Sequence, residues 1–131
     1  NGKGLVGTTD NALNDNMIIC LCCGCCCSHL RGRLVWNNPT AVAPANFMPH
    51  AGRNCARCGL CARRCPMNAI SIDRRAGTFV VDNAKCLGCG VCVHQCRHDA
   101  LRLIRNERHS PFISIDRLYR TIAKENDREY C

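Results

Sequence analysis

The sequence predicts an α+β domain assembled from two copies of one unit, each a strand, a cysteine-lined loop, a short helix and a return strand. Three observations lead there. Cys55, Cys58, Cys61 and Cys65 recur as Cys86, Cys89, Cys92 and Cys96 at a constant offset of 31. Gly59 maps to Gly90 at that offset, and Ala69-Ile70-Ser71-Ile72 maps to Ala100-Leu101-Arg102-Leu103, so whole supersecondary units are repeated and not only their cysteines. The segments Ile70 to Asp73 and Leu101 to Ile104 alternate apolar and polar residues, as half-buried strands do.

Three regions follow in chain order. Residues 1–45 form a Cys-rich extension holding the run Cys20-Leu21-Cys22-Cys23-Gly24-Cys25-Cys26-Cys27, then Pro39 and Pro44. Residues 46–106 hold the duplication. Asn54 and Lys85 each precede a first cysteine, where strand gives way to loop. The helices are expected near Ala62 to Met67 and Val93 to His98. The turn signal Arg75-Ala76-Gly77-Thr78 precedes the β-branched run Phe79-Val80-Val81, so residues 70–82 read as a hairpin joining the two units. Residues 107–131 form the tail. There Ile115, Leu118, Tyr119 and Ile122 fall at helical spacing after Pro111, with Asp116 in the first turn and Lys124 near the end. The helix is expected to pack back on the module, the other reading being a partner's docking site.

A chain of 131 residues with 5% aromatics can bury only a thin core, so another source of stability is needed. Fifteen cysteines can supply it. A secreted disulfide scaffold favours an even count at spread positions, whereas fourteen of these sit in three tight groups and only Cys131 stands alone. Metal is therefore the expectation. No secretory signal and no run near the roughly 18 apolar residues of a membrane span are present, which predicts a soluble, cytoplasmic protein. Many thiolates and exposed clusters oxidise readily, which also predicts a low-oxygen, anaerobic setting.

The motif C-x2-C-x2-C-x3-C-P at Cys55 to Pro66 is an iron-sulfur signature. Three thiolates two residues apart wrap one face of a cube, while the fourth, at the start of a helix, cannot fold back onto it and reaches the other cluster, the cross-ligation known for this motif. Cys55, Cys58, Cys61 and Cys96 are thus assigned to one [4Fe-4S] cluster and Cys86, Cys89, Cys92 and Cys65 to the other. Zinc, the other metal to weigh, favours C-x2-C pairs separated from each other by a dozen or more residues. Gly59 and Gly90, between the second and third ligands, free the backbone to take positive φ and to aim amides at the cluster.

Over residues 46–106 the chain resembles the bacterial-type two-cluster ferredoxins. The resemblance implies a ferredoxin-like, pseudo-symmetric fold and one-electron transfer between protein partners. One departure is that Arg97 stands where the first motif has Pro66. Arg57, Arg63, Arg64, Lys85 and Arg97 flank the motifs and would raise the cluster potentials above those of an acidic ferredoxin, unless they simply face water.

Six cysteines within eight residues exceed what packing requires. Cys20, Cys22, Cys23, Cys25, Cys26 and Cys27 are read as a third metal site, an iron-sulfur cluster in which three or four of them ligate; the alternative is thiols that pair or stay free. The pattern C-x-C-C-x-C-C-C ahead of a two-cluster module also resembles the C-terminal part of larger multi-cluster iron-sulfur proteins of anaerobic bacteria. Together with a start at Asn1-Gly2-Lys3, it leads us to expect a fragment of a longer chain and a place in a larger assembly.

The formal charge of +8 counts cysteines as neutral; two clusters, each −2 with its thiolates, bring it to about +4. The remaining basic surface suits an acidic redox partner, an anionic substrate or no dedicated partner. No nucleic acid is expected, because aromatic residues are not interleaved with Arg and Lys. His29, His50, His94, His98 and His109 are scattered and no nucleophile–base constellation is visible, so a module or subunit of an oxidoreductase is expected more than a catalyst by itself. The runner-up reading is a multi-cluster oxidoreductase whose N-terminal cysteines hold a catalytic cluster fed by the other two.

Overall fold

The computed structural model describes residues 3–73 and 75–129; Cys131 lies outside them. Among the described residues six strands form three antiparallel pairs. In the first, β1 (Val6–Thr9) pairs with β2 (Ile19–Cys22), with Val6 opposite Cys22. The helix α1 (Ser28–Leu34) follows directly after the cysteine run.

The duplicated units exchange strands. The first unit comprises β3 (Phe47–Ala51), α2 (Leu60–Arg64) and β4 (Ile70–Asp73), and the second comprises β5 (Thr78–Val81), α3 (Val91–His94) and β6 (Leu101–Arg105). β3 pairs with β6, with Ala51 opposite Leu101, while β4 and β5 form the expected hairpin, with Ile70 opposite Val81. Each unit's outer strand thus belongs to the other unit's sheet. Ala69 and Ala100 occupy equivalent places and do equivalent work: the Asp82 amide donates to the Ala69 carbonyl and the Gly52 amide to the Ala100 carbonyl, both at 2.8 Å.

The backbone repeats as well as the sequence. Arg57 and Gly88, Gly59 and Gly90, and Asn68 and Asp99 are pairs at the same offset, and all six have positive φ. Gly59 and Gly90 cap α2 and α3 in the left-handed region at φ 75°. Both helices therefore begin earlier than the apolar pattern suggests, and α2 ends with Cys65 as its cap while α3 ends at His94, just before Cys96. Cys65 is extended, as expected of a residue before proline.

The core is thin and built around cysteines. One cluster joins Val6, Leu30, Met67, Ala69, Cys86 and Leu87; the other joins Ile70, Cys92 and Leu101. Val6 and Leu30 come from the N-terminal extension, which shares the core of the second unit. The tail meets the N-terminal extension through a parallel bridge of Phe112 with Ala12. The tail helix forms as α4 (Ile115–Glu129), yet Tyr119 and Ile122 on its apolar stripe are 59% and 41% exposed. No helix among the described residues is long and apolar enough to cross a membrane.

Candidate metal centre

Two cavities lie at the ends of α2 and α3, and each draws cysteines from both units. Cys55, Cys58, Cys61 and Cys96 line one. Cys65, Cys86, Cys89 and Cys92 line the other. Three of each set arrive on one loop and the helix after it, because a left-handed glycine turns the chain sharply between the second and third cysteine. The fourth comes from the C-terminal end of the opposite helix, α2 and α3 being in contact.

The electrostatics of the thiols follow the same grouping. Burial pushes Cys61 up, and Cys55 and Cys58 beside it add to the shift. Burial likewise raises Cys86 and Cys89 and pushes Cys92 up to about 12, with Cys65 contributing in all three cases. Cys65 is therefore electrostatically a member of the second unit's trio, although it belongs to the first motif in sequence.

The two sites differ in shelter. Cys86 and Cys92 are buried, whereas Cys58 is exposed. Backbone amides face the second site's sulfurs: Ala69 donates to Cys65 Sγ at 3.3 Å and Gly88 to Cys86 Sγ at 3.4 Å. Apart from its four cysteines the second cavity is lined by apolar side chains and glycine, including Met67, Ile70 and Leu87. The first also meets Arg57, Arg97 and His98. Four soft thiolates around one enclosed space suit an iron-sulfur cube, and neither site offers the carboxylate oxygens that hard cations require.

The basic residues flagged by sequence have mixed placements. Lys85 pairs with Asp82 at 3.3 Å, Arg64 donates to Gln95, and the Arg57 guanidinium lies over Gly77. Arg63 and Arg97 are exposed. A further cation that acts on a site is one that sequence reasoning missed. Arg108 donates to the Cys86 carbonyl at 2.8 Å and to those of Ala45 and Phe47 at 2.6 and 3.0 Å. Burial dominates the Cys86 shift, and the Arg108 charge opposes it. Arg108 lies beyond the duplication, so the repeat gave no signal for it. The histidines do not gather; His109 meets Asn11 at 2.6 Å, and His29, His50, His94 and His98 are exposed.

The N-terminal run is split by its backbone. Cys20 and Cys22 alternate onto one face of β2, and Cys22 pairs with Cys27, which is at the start of α1. Cys22 and Cys27 pack against the core cluster that contains Cys86. Cys23, Cys25 and Cys26 form a separate group in the turn; Cys25 and Cys26 are exposed, and Cys23 and Cys25 are joined as a disulfide.

Residues 54–100 match the family model described as a 4Fe-4S dicluster domain. Compared with curated proteins, the chain finds no match. The matched stretch spans all eight cysteines of the two cavities, and the match and the cavities together support an iron-sulfur domain of ferredoxin type in the duplicated segment.

Proposed function

We propose that the chain is an electron-transfer module that holds two [4Fe-4S] clusters and passes single electrons to or from a redox partner. Cys55, Cys58, Cys61 and Cys96 hold the first cluster, and Cys86, Cys89, Cys92 and Cys65 the second. One observation carries the reading: each cavity collects three cysteines of one motif and the last cysteine of the other. The strand exchange between units supports assignment to the pseudo-symmetric, ferredoxin-like fold of the bacterial two-cluster type.

The clusters would supply one-electron redox chemistry, and the residues around them set its conditions. Met67, Ile70 and Leu87 keep water from the second site, the Ala69 and Gly88 amides offer hydrogen bonds to its thiolates, and Arg108 offsets negative charge there. The open side of the first site, at Cys58, is the side for partner docking. The redox partner is a separate protein or another part of a larger chain and assembly.

Anaerobic quantitation tests the proposal. About eight irons and eight acid-labile sulfides per chain are expected in the module. Cys65→Ala should disturb the paramagnetic signal of the cluster held by Cys86, Cys89 and Cys92, and Cys96→Ala that of the other. A chain without acid-labile sulfide would sink the reading; unchanged signals in both variants would sink the crossed assignment.

A further inference from the structure

The turn between β2 and α1 collects three sulfurs outside both cavities. The Sγ atoms of Cys23, Cys25 and Cys26 all lie within 4.8 Å of one another, and Cys23 Sγ is 3.3 Å from Cys26 Sγ. No three of the eight cysteines in the two cavities gather so closely among the described residues. The Cys23–Cys25 bond accounts for one of the three separations, and the free Cys26 thiol completes the group without a covalent bond to either. A cube keeps its ligand sulfurs apart because a separate iron stands behind each. A single tetrahedral ion with metal–sulfur bonds of about 2.3 Å draws its sulfurs to about 3.8 Å of each other.

The backbone holds this arrangement. The Cys27 amide donates to the Cys23 carbonyl at 3.3 Å and closes the turn, and the Arg31 amide donates to the Cys27 carbonyl at 2.9 Å. Gly24 lets the turn sit flat on the domain: a Cβ there would stand 2.7 Å from Leu34 Cδ1 and 3.5 Å from the Pro66 carbonyl. Cys22 and Cys27 point inward to the core and to each other, which leaves the outer three as a separate donor set facing solvent.

We propose that Cys23, Cys25 and Cys26 form a third metal site, which binds one soft divalent cation of the zinc class and leaves the fourth position open to solvent. Thiolate donors select such ions over hard cations. The site forms in the reduced chain. Opening the Cys23–Cys25 bond takes two electrons and two protons from a dithiol, which closes to its own disulfide; the three thiols then release three protons as the cation binds.

The test uses the full cluster-loaded chain, prepared without oxygen in the presence of a dithiol and supplied with zinc. About one tightly held zinc per chain is expected beside the iron, and zinc-edge X-ray absorption should show about three sulfurs at about 2.3 Å. The zinc should be lost from the Cys23→Ser/Cys25→Ser/Cys26→Ser variant with iron unchanged, and retained in Cys20→Ser. The absorption measurement on the unaltered chain decides the matter if the triple variant fails to fold. Zinc retained in a folded triple variant would overturn the proposal. So would iron near twelve per chain that falls to eight on the triple substitution, which would mean a third cube, or an intact mass about 2 Da low after dithiol treatment, which would mean a persistent disulfide. The proposal draws on none of the eight module cysteines, so it can fail while the two-cluster reading stands.

Discussion

Gly59 and Gly88 both have positive φ, yet they differ in what surrounds them. A Cβ at Gly59 meets nothing within 4 Å, whereas one at Gly88 would stand 2.4 Å from the Phe47 carbonyl and 3.1 Å from that of Ala45. Gly59→Ala should therefore cost only the left-handed strain, about 1 kcal/mol, and keep both clusters. Gly88→Ala should cost several times that and lose the second cluster's iron; denaturant melts with iron quantitation compare the two. Cys92 gives a second test at this scale. Burial pushes its thiol up to about 12, so in the metal-free chain it stays protonated, and unreactive, well above neutral pH. Its alkylation rate, followed by peptide mass spectrometry, should climb about tenfold per pH unit until pH nears 12, because only the thiolate reacts. Cluster binding should abolish that reaction at every pH. The eight ligand candidates were legible in sequence because the motif spacing names them. Arg108 was not, because a guanidinium's target depends on chain segments that meet only after folding.

At the level of elements, the hairpin over residues 70–82 and the return strand at Leu101 were readable from alternation and turn chemistry, and both formed. The two short helices were placed too late, because apolar spacing marks a buried face but not the glycine that starts the turn. The N-terminal elements were not anticipated. Six cysteines drew the reading toward metal, and β1, β2 and α1 are short segments whose periodicity is weak. α1 nonetheless contributes Leu30, which is 0% exposed and packs with Met67, Cys86 and Leu87. Leu30→Ala should cost about 2–5 kcal/mol. Its effect should be uneven: iron at the second site should bleach at lower denaturant concentration, while the first site, none of whose lining residues packs in the Leu30 cluster, should change little.

Across the whole molecule, the two halves are alike in backbone and unlike in surroundings. The first site has an exposed ligand candidate, Cys58, and the second is covered by the N-terminal extension on one side and fastened by Arg108 on another. Arg108 ties the tail to residues 45–47 and to the Cys86 loop, segments far apart in sequence. Arg108→Met removes both the charge and the hydrogen bonds. It should lower the midpoint potential of the second cluster in voltammetry and also lower the melting temperature. Arg108→Lys should restore most of the potential but only part of the melting temperature, since an ammonium keeps the charge without the planar fork. A potential unmoved by Arg108→Met would show that the residue acts only as a fastening.

The flat seating of Gly24 carries one more implication. Leu34, the side chain that a methyl group there would strike, leans on the same apolar cluster as Cys65, Cys86 and Cys89. The outer cysteine turn and the sheltered cavity are therefore two sides of a single thin partition. A side chain placed at Gly24 is therefore expected to push Leu34 against that wall, and a shift in the cavity's optical and magnetic signature in Gly24→Ala would register it.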